Sequence, residues 1–120
     1  MEASFTRMTV LVSNMDRSVR FYRDILGLRP LTMSDEWSEF SLDGASLALH
    51  PGRQAGLANL ENGTDAGTLH IAFAVSDIER ACEELWTKGV VVDGPRVLGD
   101  LPPIATFSDP DGLSLGLEKS

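Results

Sequence analysis

The chain has 120 residues, 42% of them hydrophobic and 23% charged, and carries a net charge of -8 at pH 7. That length suits one domain with a real core, and the acidic balance argues against nucleic acid, which calls for clustered Lys and Arg, and against an anionic membrane surface. No apolar run approaches the roughly 20 residues of a membrane span, the start lacks a basic-then-apolar signal pattern, and the single cysteine, Cys82, allows no disulfide framework, so a cytoplasmic protein is expected.

Arg7 to Ser13 (RMTVLVS) alternates, with Met8, Val10 and Val12 on one face and Arg7, Thr9, Leu11 and Ser13 on the other. A period of two predicts a half-buried strand. Asn14 can cap the helix that follows, Asp16 suits its first turn, and Met15, Val19, Tyr22 and Leu26 form its apolar stripe. Gly27 closes that helix as a left-handed residue. Leu28 to Met33 reads as an edge strand because of Pro30. Trp37–Leu42 and Ala45–Leu49 are strands turned at Asp43-Gly44. Pro51 to Gly67 is polar and without period. A strand follows at His70–Ser76, then a helix capped by Asp77 with Ile78, Cys82, Leu85 and Trp86 as its stripe and Gly89 at its end. Val90–Val92 is a short strand, Arg96–Pro103 a loop, and Ala105–Ser108 and Leu113–Leu117 a last hairpin turned at Asp109 to Gly112.

Two segments are written twice. Asp111 to Glu118 (DGLSLGLE) matches Asp43 to His50 (DGASLALH) at five of eight positions, and Thr9 to Arg17 (TVLVSNMDR) parallels Ala72 to Arg80 (AFAVSDIER). Each half therefore reads β-α-β-β-β: an α+β chain of two tandem βαβββ modules, the first at about 1–52, the second at about 68–120, with a linker at about 53–67. In each half the fourth strand sends Leu47 and Leu49, or Leu115 and Leu117, toward the helix. The other face carries Arg7, Thr9, Ser46, Ala48 and His50 in one module and His70, Ala72, Ala74, Ser114, Gly116 and Glu118 in the other. Faces so small and polar pack poorly; two of them side by side, helices outside, would line a cleft suited to a ligand. Glu39 joins the first face if Phe40 and Leu42 turn to the helix. Cys82 reads as a small buried hydrophobe.

Together, in order and in duplicate, VSNMDRSVRFYRDILGL (Val12 to Leu28), HIAFAVSDIERA (His70 to Ala81) and SDPDGLSLGLE (Ser108 to Glu118) resemble the vicinal oxygen chelate superfamily of glyoxalases, bleomycin-resistance proteins and extradiol dioxygenases. The resemblance implies a cup-shaped mixed sheet and a homodimer. It also implies one divalent metal held by His, Gln or Glu from the first and fourth strands of each module. Carried across, those positions are Arg7, Ala48, His70 and Gly116 here. Arg7 has no lone pair to offer, Ala48 and Gly116 have no donor, and one imidazole falls short of the about three protein ligands of an open catalytic site. His50 and Glu118, two residues beyond the vacant positions, would complete a two-histidine, one-carboxylate set with His70, but only across a shift of about 6.6 Å along the strand.

The expected function is metal-free and cofactor-free binding of a small organic molecule, as in the antibiotic-binding branch. The expected lining is Arg7, Thr9, Trp37, Glu39, Ala48, His50, His70, Gly116 and Glu118, with no catalytic residue among them. Arg7 would serve as the fixed cation, and Trp37 and the Leu101–Pro103 loop as apolar walls. The rival is a lyase, isomerase or dioxygenase, with a shifted metal or with Glu39 or His70 as base.

Overall fold

A computed structural model describes residues 1–52, 69–97 and 99–120. The chain divides into two compact units, Met1–Ala66 and Gly67–Ser120, and each holds one four-stranded mixed sheet of the same design. The linker expected at about 53–67 lies outside the described residues.

In the first unit β1 (Arg7–Val12) leads into α1 (Met15–Arg20), then β2 (Arg29–Thr32), β3 (Ser38–Leu42) and β4 (Ala45–Pro51). The sheet order is β1-β4-β3-β2, with β1 parallel to β4 and the other pairs antiparallel. The second unit repeats this with β5 (His70–Val75), α2 (Ile78–Thr87), β6 (Asp93–Arg96), β7 (Ile104–Ser108) and β8 (Ser114–Lys119), ordered β5-β8-β7-β6. The parallel pair in each sheet is what a helical crossover permits. These are the tandem βαβββ modules of an α+β chain. No helix among the described residues is long and apolar enough to cross a membrane.

The local signals act as read. Asn14 Oδ1 accepts the Arg17 N–H at 3.0 Å, and Asp77 Oδ1 accepts that of Arg80 at 3.1 Å. Gly27, Gly44, Gly89 and Gly112 all sit at positive φ, between 75° and 89°, where a Cβ would clash with the backbone. In the last turn the buried Asp109 carboxylate also accepts the N–H groups of Asp111 and Leu113, at 2.9 and 2.8 Å.

Period-two alternation sorts each sheet into a packed and an open face. Val10, Val12, Phe40, Leu47 and Leu49 are buried with Phe21 and Tyr22. Tyr22 lies edge-on to Phe21 at 5.2 Å and tilted against Phe40 at 6.2 Å. In the second unit Ile71, Ala105, Phe107, Leu115 and Leu117 are buried with Ile78, Cys82, Leu85 and Val92, as α2 packs against β6, β7 and β8.

Three expectations are corrected. The first helix is not one α-helix: after Arg20 it widens into a π-helical turn, Phe21–Ile25. The looser turn rotates the stripe, so Ser18, Phe21 and Tyr22 are buried while Met15, Val19 and Leu26 are only half-buried. The second strand of the second unit is Asp93–Arg96, not Val90–Val92; Val92 is instead buried just ahead of the strand. Trp86 does not join the α2 stripe but stands 53% exposed.

Candidate functional site

In the first unit the open face is ordered by strand register. Arg7 pairs with Ser46, and Thr9 with Ala48, which pairs in turn with Glu39. Arg7, Thr9, Glu39 and Ala48 therefore share two adjacent rows, and Trp37, which precedes β3, stands beside His50. Ala48 is fully buried there.

Glu39 organises this face. Its Oε2 accepts from the Ser46 hydroxyl at 2.5 Å and from Arg7 Nε at 3.2 Å, and its Oε1 accepts from Trp37 Nε1–H at 2.8 Å. The Ser46 hydroxyl, then the Trp37 indole, then Arg7 favour the ionised form, pulling the carboxyl from 4.5 down to about 2. A carboxylate held so low is a poor proton acceptor at neutral pH, which removes Glu39 as a general base. The same carboxylate brings two open-face groups together, for the Arg7 guanidinium carbon lies 5.7 Å from the Trp37 ring centre, a cation–π distance. Arg7 remains 43% exposed against 18% for Glu39, and among the described residues only its Nε is engaged, in the ion pair, which leaves two terminal nitrogens to donate. The His50 ring meets Trp37 edge-on at 6.0 Å. His50 Nδ1 is 2.8 Å from the Pro51 carbonyl oxygen; a carbonyl only accepts, so Nδ1 carries the proton.

In the second unit His70 pairs with Ser114 across β5 and β8, and its Nδ1 lies 2.7 Å from Ser114 Oγ. The ring leans over Gly116: a Cβ added there would meet His70 Nε2 at 2.7 Å. Glu118 pairs with Ala74, four residues along from the His70–Ser114 pair, about 13 Å at strand rise. His70 and Glu118 therefore cannot converge on one ion, and the shifted set of His50, His70 and Glu118 is not assembled. Among the described residues no group of three or more His, Cys, Asp or Glu could hold a metal. Ser46 and Ser114, which alternation places on the open faces without a role, turn out to hold Glu39 and His70 in place.

A profile described as the Glyoxalase/Bleomycin resistance protein/Dioxygenase superfamily matches residues 4–117. The chain belongs to this superfamily. It is 35% identical to a lactoylglutathione lyase of Haemophilus influenzae over 87% of this chain and 83% of that one, and 32% identical to the metallothiol transferase FosB of Staphylococcus epidermidis over 92% and 78%. Among solved structures it resembles TnmS3, an antibiotic binding protein from a Streptomyces species, with a TM-score of 0.78 and 25% identity over 98% of this chain and 96% of that one.

The metal that the superfamily's enzymes carry does not fit the residues here. At the four corresponding positions stand a guanidinium already paired with Glu39, a methyl group, a hydrogen-bonded imidazole, and a glycine whose side-chain space that imidazole fills. Glu39, which pairs with Ala48 across β3 and β4, has its oxygens taken by three N–H and O–H groups.

Proposed function

We propose that this superfamily member binds a small organic ligand, without a metal, at the open faces of its two sheets, with Arg7 as the fixed cation. The observation that supports this reading is the Arg7–Glu39–Trp37 arrangement at a position where the superfamily's enzymes place a metal ligand. A guanidinium held at Nε and resting on an indole is oriented before any ligand arrives, so little side-chain freedom remains to be lost on binding. Its terminal nitrogens match a carboxylate or enolate oxygen, and Trp37 offers apolar area beside them. The net charge of -8 would otherwise repel such an anion, which makes one local cation more effective. The likeness to an antibiotic binding protein points the same way.

The test is a ligand screen by thermal shift, each hit then titrated against wild type and Arg7→Met. A ligand that binds only the folded state raises the melting temperature, and loss of a charge-assisted hydrogen bond costs about 1.5–3 kcal/mol of affinity. Equal affinity in the variant removes Arg7 from the site.

The likeness to a lactoylglutathione lyase and to FosB favours a second reading, a lyase or transferase of the same superfamily. Elemental analysis of purified protein separates the two. The metal-free reading expects no stoichiometric divalent ion, and one tightly held nickel, zinc or iron per chain decides for the enzyme.

A further inference from the structure

The first unit has a second recess, on the helix side of its sheet and so opposite the Arg7 face. It has a volume of about 420 Å³ and lies between α1 and the turn that joins β2 to β3. That volume is within the range of small-molecule sites, roughly 300–1,000 Å³. The apolar part of its lining is Met15 and Val19, one helical turn apart on α1, and Met33 just after β2. Thioethers on flexible stems adapt to varied apolar shapes.

The recess is preformed. The Ser34 hydroxyl donates to the Trp37 carbonyl oxygen at 2.9 Å and accepts the Trp37 N–H at 3.0 Å, and the buried Ser38 hydroxyl donates to the Ser34 carbonyl oxygen at 3.2 Å. The turn opposite α1 is thereby fixed, and its hydroxyls are already satisfied. Four charged residues stand around the opening. Arg23 is clamped to the neighbouring Asp24 through Nε and Nη2, at 2.8 and 3.1 Å. The side chains of Asp16, Arg20 and Asp35 are exposed, and among the described residues none takes part in a hydrogen bond or an ion pair. Among the described residues, two carboxylates and one guanidinium without a partner thus stand around an apolar floor.

We propose that this recess is a ligand site for a small amphipathic ammonium compound that also carries a hydrogen-bond acceptor. The ammonium answers Asp16 and Asp35, the acceptor answers Arg20, and the apolar body covers Met15, Val19 and Met33. A purely anionic ligand is disfavoured there by the two carboxylates and by the charge of the whole protein. The site is independent of the Arg7 face and stands or falls separately from it.

The test follows methionine methyl groups by NMR in isotope-labelled protein. The chain has four methionines, of which Met15 and Met33 line the recess while Met1 and Met8 do not. Phenylalaninamide, in mildly acidic buffer, is the probe, and hydrocinnamide, the same molecule without its ammonium, is the control. Saturable shifts of Met15 and Met33, with Met1 and Met8 unmoved, are expected with the probe. Affinity falls about fivefold with hydrocinnamide and with Asp35→Asn, as loss of one exposed charge pairing implies. Arg20→Gln weakens phenylalaninamide more than it weakens phenethylamine, which has no acceptor. The proposal is overturned if the two methyls do not respond, if hydrocinnamide shifts them equally well, or if Asp35→Asn and Arg20→Gln bind as wild type does.

Discussion

Glu39 shows how much one side chain can decide. Its donors come from β1, β4 and the residue before β3, so the carboxylate ties three neighbouring segments together. Its folded value lies below its ordinary one, so the stability it adds is present above about pH 4.5 and is lost as the pH falls toward about 2. Glu39→Gln is expected to flatten that part of the stability curve, measured by urea unfolding at a series of pH values. The chain has two tryptophans, so in a Trp86→Phe background the emission of Trp37 reports the same titration locally. A transition near pH 4.5 instead would mean that the three donors do not hold the carboxylate. Ser18 is the opposite case. Its hydroxyl is buried without a partner among the described residues, and an unsatisfied buried polar group carries a desolvation cost. Ser18→Ala should therefore stabilise the protein by about 1 kcal/mol, read as a higher urea midpoint with an unchanged slope.

Among the elements, those set by local chemistry were legible in the sequence. Asn14 and Asp77 announced both helix starts, the Asp-Gly turns announced both hairpins, and alternation in β1, β4, β5 and β8 gave the packed faces. What local chemistry does not encode was missed. A π-helical turn differs from an α-helical one by a single residue of winding, so spacing from Met15 to Leu26 fitted an α-helix well. β6 carries Asp93, Gly94 and Pro95, three residues disfavoured in strands, and only pairing with β7 makes it one. Gly94 is required there: its φ is +119°, and an added Cβ would stand 2.8 Å from the Ile104 carbonyl oxygen. Gly94→Ala is expected to destabilise the second unit by about 1–3 kcal/mol, from the unfavourable φ alone before any clash is counted. Loss of only a few tenths, measured by thermal unfolding, would show that β6 can shift away from β7.

At the scale of the whole molecule, each sheet ends in two edge strands, β1 and β2 in one unit and β5 and β6 in the other. Pro30 blunts β2 and Pro95 blunts β6; β1 and β5 carry no such protection, and unprotected edges call for cover. A homodimer is expected, sedimenting at twice the 13.0 kDa chain mass at micromolar concentration, and a species of 13.0 kDa would reject it. The candidate site was legible only as faces. Period-two alternation put Arg7, Glu39, His70 and Gly116 on them, but which groups bond to which depends on cross-strand register, and register is a property of paired strands. The two copies of the module have kept their architecture while filling their open faces differently, one with an ion pair under an indole, the other with an imidazole laid over a glycine. A Cβ at position 116 would stand 2.7 Å from His70 Nε2, so a side chain there and the ring in its present pose claim the same space, and the ring would have to swing aside. The two positions are thus coupled across the sheet: a side chain placed at 116 would be read out at His70, whose ring would leave its bond to Ser114 as it moves aside.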